Sequence, residues 1–400
     1  MIQKRRYRSV MLAEALDLDP LGVLPTLTMG SPSQAENERN HGLDLLRGLC
    51  AIGVASSHVA WVNHGVDLAS LASFGVYVFF VLSSLTMMLV YSRSFSTSVA
   101  WPDLRRFFWN RITKIIPLLA AVATFNFALG AFWYGLPDPV AGEVKAFLTG
   151  SALFALHLPG FLSNSVGAWS LGIEGMFYAL FPIVCLIAMN SSLLALITGT
   201  AVLIVAQHGV LILIAPFLTD SSKHWHYYTT PVMFAPFFAL GLIAFRWKVR
   251  SSTIALGGCL VSLAVIAGYS LIIPVRLFDS HLSFLFLTGV AFAAALLGYR
   301  ARLFNGMVPI AELIGAASYS LYLTHWFTLL VWNKVCRLLG APVLAATISF
   351  VPVALLLAYA CFRAFELPVQ TLMRGAAGKR SGVDPPSGHK QSVAVLRIES

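Results

Sequence analysis

The 400-residue chain predicts an all-α polytopic membrane protein, a bundle of about ten transmembrane helices, on three observations. Apolar residues make up 58% of it and charged residues only 11%, against about 25% charged in a soluble domain. Ten apolar stretches are long enough to cross a bilayer, which takes about 17–25 residues each. Lys and Arg also gather in every second connection, the bias that marks cytoplasmic loops.

In order, the spans read as Leu43–Trp61, Leu68–Tyr91, Ile112–Tyr134, Gly167–Met189, Leu193–Pro216, Thr230–Phe245, Thr253–Ile273, Leu282–Tyr299, Ile310–Trp332 and Val343–Phe365. An N-terminal segment, residues 1–42, precedes them with a basic run at Lys4, Arg5, Arg6 and Arg8. No apolar h-region with a small-residue cleavage site follows that run, so the first span is expected to direct insertion. With that segment cytoplasmic, the inner connections hold Arg93, Arg105, Arg106, Arg111 and Lys114, then Arg246, Lys248 and Arg250, then Arg300 and Arg302, then Arg374, Lys379 and Arg380. The outer ones hold Lys145, Lys223 and Arg276 beside acidic residues; Lys334 and Arg337 break the pattern. A further apolar piece, Val144–Phe161, carries His157 and Pro159 and reads as re-entrant or interfacial, because an eleventh span would turn every later basic cluster outward. Both termini are then cytoplasmic, and residues 373–400 are expected to form a disordered Gly/Pro/Ser/Lys-rich tail.

The net charge of +10 reports this topology before it reports an acidic partner, and nucleic-acid binding is a poor reading. Cys50, Cys185, Cys259, Cys336 and Cys361 stand singly, as small buried hydrophobes do, and suggest neither a disulfide framework nor a metal site. Nucleophile-elbow, zinc-protease, P-loop and dinucleotide signatures are absent from the sequence.

Polar residues inside the spans are therefore the candidates for chemistry. In the first span, LDLLRGLCAIGVASSHVAW, Arg47 and His58 are separated by ten residues. Helix geometry sets them about 20° apart around the axis and about 16.5 Å apart along it, so they share one face, Arg47 toward the cytoplasm and His58 deeper. Ionisable groups at such depth point to function, although a bridged His and a snorkelling Arg are the structural alternative. Ser83, Ser84 and Thr86 of the second span suit back-bonding to helical carbonyls. The stretch RRFFWNRITKIIP reads as an interfacial amphipathic helix whose Arg105, Arg106, Arg111 and Lys114 could also clamp a phosphorylated ligand. Ser170, Glu174 and Tyr178 share a face of the fourth span; Glu174 needs a partner, most simply Arg47, another of the basic groups or a histidine. Ser318, Tyr322 and His325 share a face of the ninth, where His325 orients His58, binds substrate or merely bridges helices. His64, His208 and His281 lack ligand spacing or a polar companion; His224 and His226 sit together in an outer loop.

Six motifs in order resemble those of the acyltransferase family 3 integral membrane proteins: the R-x10-H pair Arg47/His58, FGVYVFFVLSS, RITKIIP, AWSLGIEGMFYALFP, SYSLYLTH and FELP. The resemblance covers about Leu43 to Leu372, with departures at Ser84, Lys114, Gly175 and Thr324, where the family commonly has Gly, Arg, an acidic residue and Trp. It implies a ten-helix bundle that moves an acyl group, usually acetyl, from cytoplasmic acyl-CoA to a hydroxyl of a carbohydrate, lipid-linked saccharide or other envelope or secreted acceptor. It places the protein in the lipid bilayer of a bacterial inner membrane, without a metal cofactor. Arg47 and His58 are then the essential pair, Glu174 and Glu366 supporting acids, and His325 lines the same bundle. The expected mechanism has Arg47, with Arg106, Arg111 and Lys114, holding the donor's phosphates while its arm runs up the helix face. His58, of a residue type with an unperturbed pKa near 6.5, either takes the acceptor's proton or first receives the acyl group. The competing reading is a transporter or flippase of an envelope saccharide with a buried Arg/Glu/His relay.

Overall fold

In lipid every backbone polar group must be satisfied internally, and long apolar runs do this as helices. The computed structural model describes residues 39–134, 167–214, 229–247, 251–272 and 281–381. Its helices are α1 (His41–His64), α2 (Ala69–Tyr91), α3 (Trp101–Tyr134), α4 (Ala168–Asn190), α5 (Leu193–Ile214), α6 (Pro231–Arg246), α7 (Thr253–Ile272), α8 (His281–Arg300), α9 (Val308–Leu338) and α10 (Val343–Cys361). A π-helical turn, Phe362–Glu366, leads from α10 into α11 (Leu367–Ser381). Among the described residues eight helical stretches are long and apolar enough to cross a membrane, and α6 is apolar but shorter; the third expected span falls in the C-terminal part of α3. The chain is thus an integral, multi-pass, all-α membrane protein. His41–Asp384 form one contact unit; of the other, Met1–Asn40 and Pro385–Ser400, only Arg39 and Asn40 are described.

Helices α1, α2 and α9 form the centre. α1 packs on α2, α8, α9 and α10, while α2 also meets α4, α6 and α8. Two thirds of the α2 span (67%) is buried against 17% of the α5 span, so α5 presents most of its surface outward, as a lipid-facing helix does. Between α2, α4 and α6 lies an aromatic core in which Tyr77 stacks on Phe237 at 4.1 Å between centroids and Phe80 meets Phe234 at 4.7 Å. Apolar helices gain little from burial in lipid, so close van der Waals fit of this kind must hold them together.

A close crossing joins α1 to α9. A Cβ on Gly315 would lie 2.6 Å from the Asp44 Cβ and 2.9 Å from the Asp44 Cα and carbonyl oxygen, so only glycine lets the backbones meet there. The two helices run parallel, with His41 beside Glu312 at one end and Asn63 bonded to Asn333 at the other. Parallel travel is what the sequence requires of the first and ninth spans, both odd-numbered.

Some boundaries differ from expectation. The basic stretch before the third span is no separate helix: α3 runs unbroken from Trp101 through Pro117. The reason is a single buried stripe, Phe107, Ile115, Leu118 and Val122, that continues across the proline, and neighbouring helices make such a proline tolerable in a membrane protein. At the C-terminal end, helix continues through Ser381, into the segment read from the sequence as a tail. The Val144–Phe161 piece, His224 and His226 lie outside the described residues.

Candidate active site

The polar face of α1 meets the polar face of α9 at two histidines. His325 Nε2 lies 3.1 Å from His58 Nδ1, with the ring centroids 5.0 Å apart and nearly parallel. The edge of Trp326 closes on His58 at 5.5 Å. His325 is 1% exposed, and its Nδ1 is 2.8 Å from the Tyr322 carbonyl oxygen and 3.3 Å from that of Leu321. Carbonyl oxygens only accept, so His325 Nδ1 carries a hydrogen. In the neutral ring Nε2 is then a lone pair, and the hydrogen between the rings belongs to His58 Nδ1. The Val54 carbonyl, one turn back on α1, also accepts from the His58 ring, and with Nδ1 the protonated nitrogen, Nε2 is left as the basic one. The second ring, together with the Val54 carbonyl, thus sets the tautomer of the first, as a carboxylate or carbonyl does for histidine elsewhere.

Toward the other end of α1 opens a cleft of about 780 Å³, including open solvent, that α1, α2, α3, α4 and α9 line. Three cations face it: Arg47, Arg111 and Lys114. Arg47 Nη1 pairs with Asp44 Oδ1 at 3.5 Å, one helical turn away. Arg111 sits over the rings of Tyr91, Phe107 and Tyr178, 5.5–5.9 Å from their centroids, and its Nε is buried without a hydrogen-bond partner. Lys114 stands within electrostatic reach of Arg47, Arg111, Glu174 and Glu366.

The supporting residues interlock. Tyr178 donates to Glu174 Oε1 at 2.5 Å, and Ser83 donates to the Tyr178 oxygen at 3.4 Å. Gly167, with φ of 95° at the start of α4, brings its backbone against the Tyr322 ring, where a Cβ would lie 2.9 Å from Cε1. This contact lets the Tyr322 and Ser170 hydroxyls meet at 2.8 Å. Tyr322 also stands 6.2 Å, ring to ring, from His325. It is therefore the link between the cationic cleft, which it lines, and the histidine pair, which does not line it. Glu366, 5% exposed on the π turn, accepts from Ser320 at 2.7 Å and from Gln370 at 3.0 Å. Ser318 lines the cleft and donates back to the Gly315 carbonyl at 2.7 Å.

Most expected site residues therefore converge, with corrections. Arg47 pairs with Asp44 rather than Glu174, whose carboxylate is taken by Tyr178; the Asp44–Arg47 spacing of three residues was a visible signal for this. Arg106 is exposed and does not line the cleft, because five residues place it about 140° around α3 from Arg111. Ser84 and Thr86 do bond back to helical carbonyls, yet Ser83 and Thr86 also line the cleft. His208 and His281 have a polar companion after all, each other, at 2.9 Å, and His64 meets Thr347 at 2.9 Å. The hydroxyl of Tyr319, bonded to the Ile115 carbonyl at 2.8 Å, ties α9 to α3 without any sequence signal.

Comparison with known proteins adds three findings. A family model described as an acyltransferase domain matches residues 40–363. The exopolysaccharide production protein ExoZ of Rhizobium meliloti (strain 1021) is 27% identical over 322 residues, which is 76% of this chain and 90% of that protein. No solved structure matches the chain.

Proposed function

We propose, on the premise that the chain belongs to the acyltransferase family 3 of membrane enzymes, that it transfers an acetyl group from cytoplasmic acetyl-CoA to a hydroxyl of an envelope or secreted polysaccharide. The name of the ExoZ relative supports the polysaccharide acceptor. The observation that carries the chemistry is the His325–His58 contact, which leaves one basic nitrogen free on a half-buried ring.

An alcohol attacks a thioester readily only as its proton leaves, so a base positioned within reach accelerates the step by about 10²–10⁴-fold. His58 Nε2 takes the hydroxyl proton while the oxygen forms its bond to the acyl carbon. His58 becomes an imidazolium whose Nδ1–H still donates to His325 Nε2. As the C–S bond breaks, the thiolate recovers the proton from His58, releasing CoA and the O-acyl product. The three cleft cations suit the donor's phosphates, and the unmatched Arg111 Nε is a donor awaiting an anion. Arg47 and His58 lie about 16.5 Å apart along α1, so an extended arm anchored at the cations leads past Tyr322 toward the histidines. Glu174 and Glu366 temper the positive charge around Lys114.

The test is thiol release by purified protein from acetyl-CoA in the presence of the host's extracted polysaccharide. Acceptor-dependent release that is lost in His58→Ala is the expected result. Saccharide movement across vesicles without thiol release identifies a transporter instead, and normal transfer by His58→Ala overturns the role of the histidine.

A further inference from the structure

Near the cationic cleft is a fourth cation that the motifs do not include. Arg374 belongs to α11, the helix that follows the π turn, and α11 packs against α3, the helix that carries Arg111 and Lys114. Arg374 lies within electrostatic reach of Arg111 and of the Tyr91 phenol, and Tyr91 is one of the rings beneath the Arg111 guanidinium. The Nε atoms of both Arg111 and Arg374 are buried with no hydrogen-bond partner. Among the described residues neither arginine makes an ion pair with a carboxylate, whereas Arg47 has Asp44 and Lys114 has Glu174 and Glu366 nearby. Each of the two thus buries one unpartnered Nε donor, and each feels the other's like charge, an arrangement that is costly unless an anion joins them.

We infer that Arg374 and Arg111 together form a subsite for a phosphate monoester dianion, and that in the proposed reaction its occupant is the 3′-phosphate of the acyl-CoA donor. This rests on the proposed donor and deepens it. A guanidinium pair presents two forks to one phosphate. A monoester with a second pKa near 6 carries nearly two charges at neutral pH, which matches two arginines that have no carboxylate partner among the described residues and one unpartnered Nε each. Each phosphate of the donor's diphosphate carries about one charge, which suits Arg47 and Lys114 with their partly balancing carboxylates. The assignment makes α11 part of the donor site, brought there by the π turn at Phe362–Glu366.

The experiment compares acetyl-CoA with acetyl-3′-dephospho-CoA in the purified full-length protein in dodecyl maltoside, a detergent without phosphate. The wild type is expected to show a KM about tenfold or more lower for acetyl-CoA, the worth of one charge-assisted contact. In Arg374→Gln that ratio falls to about one, and Arg374→Lys, which keeps the charge and loses the fork, is intermediate. Equal KM values in the wild type, or an undiminished ratio in Arg374→Gln, overturn the subsite. Should Arg374→Gln not fold, the ratio in Arg374→Lys decides in the same way. A ratio that responds to Arg374 only in vesicles containing phosphatidylglycerol assigns the arginine to lipid headgroups and also overturns it. A wild type that releases thiol from neither donor refutes the acyl-CoA reading itself, an outcome distinct from equal use of both.

Discussion

Replacing His325 with alanine tests the pairing on which the mechanism rests. The substitution removes the Nε2 acceptor 3.1 Å from His58 Nδ1, and with it one of the two contacts, beside the Val54 carbonyl, that hold the ring. In the transition state His58 is becoming an imidazolium, so the lost bond is one to a charged group, worth about 1.5–3 kcal/mol. At 1.36 kcal/mol per factor of ten, that predicts a fall in kcat of about 10- to 100-fold. KM for acetyl-CoA is expected to change far less, because His325 does not line the cationic cleft. His325 is also 1% exposed, and truncating a buried large side chain costs about 2–5 kcal/mol of stability, so thermal unfolding is followed alongside turnover. His325→Gln, whose side-chain oxygen can accept from His58 Nδ1, is expected to recover part of kcat. The assay is initial-rate thiol release at saturating donor. An alanine variant that stays folded with at least half the wild-type kcat, or one whose defect lies wholly in KM for the donor, refutes the reasoning.

Three further outcomes follow from the geometry. Arg111→Gln removes a cleft cation and is expected to raise KM for acetyl-CoA about tenfold. Arg106→Gln, on the opposite and exposed side of α3, changes that KM by less than about twofold; the same donor titration measures both. Gly315→Val drives side-chain atoms into the Asp44 backbone. Overpacking of this kind costs about 1–3 kcal/mol, so a lower unfolding temperature together with loss of transfer is expected, since the same crossing sets the His58–His325 contact.

How much of this was legible in the sequence depended on whether a relation was local. The shared face of Arg47 and His58, and that of Ser318, Tyr322 and His325, followed from 3.6 residues per turn. The fourth-span face was read equally well, and Ser170 and Tyr178 indeed carry polar contacts there. Periodicity failed where it offered two partners at similar cost. Arg47 had Asp44 one turn away and Glu174 on another helix, and the sequence reading favoured the distant one. It also grouped Arg106 with Arg111 by proximity in the chain, although about 140° of helix separates them.

The sequence alone determined the fold class, the polar faces of the helices and the family to which the motifs belong, because hydropathy, helical period and motif order are all local properties. Only the tertiary structure decided which faces meet. It set His325 against His58, left Tyr322 between the cleft and the histidines, and packed the helix of Arg374 against that of Arg111, within electrostatic reach. The physical reason is that apolar helix surfaces of similar composition carry little information about their neighbours. The choice is made by close fits such as Gly315 on Asp44, and a string of residues does not display them.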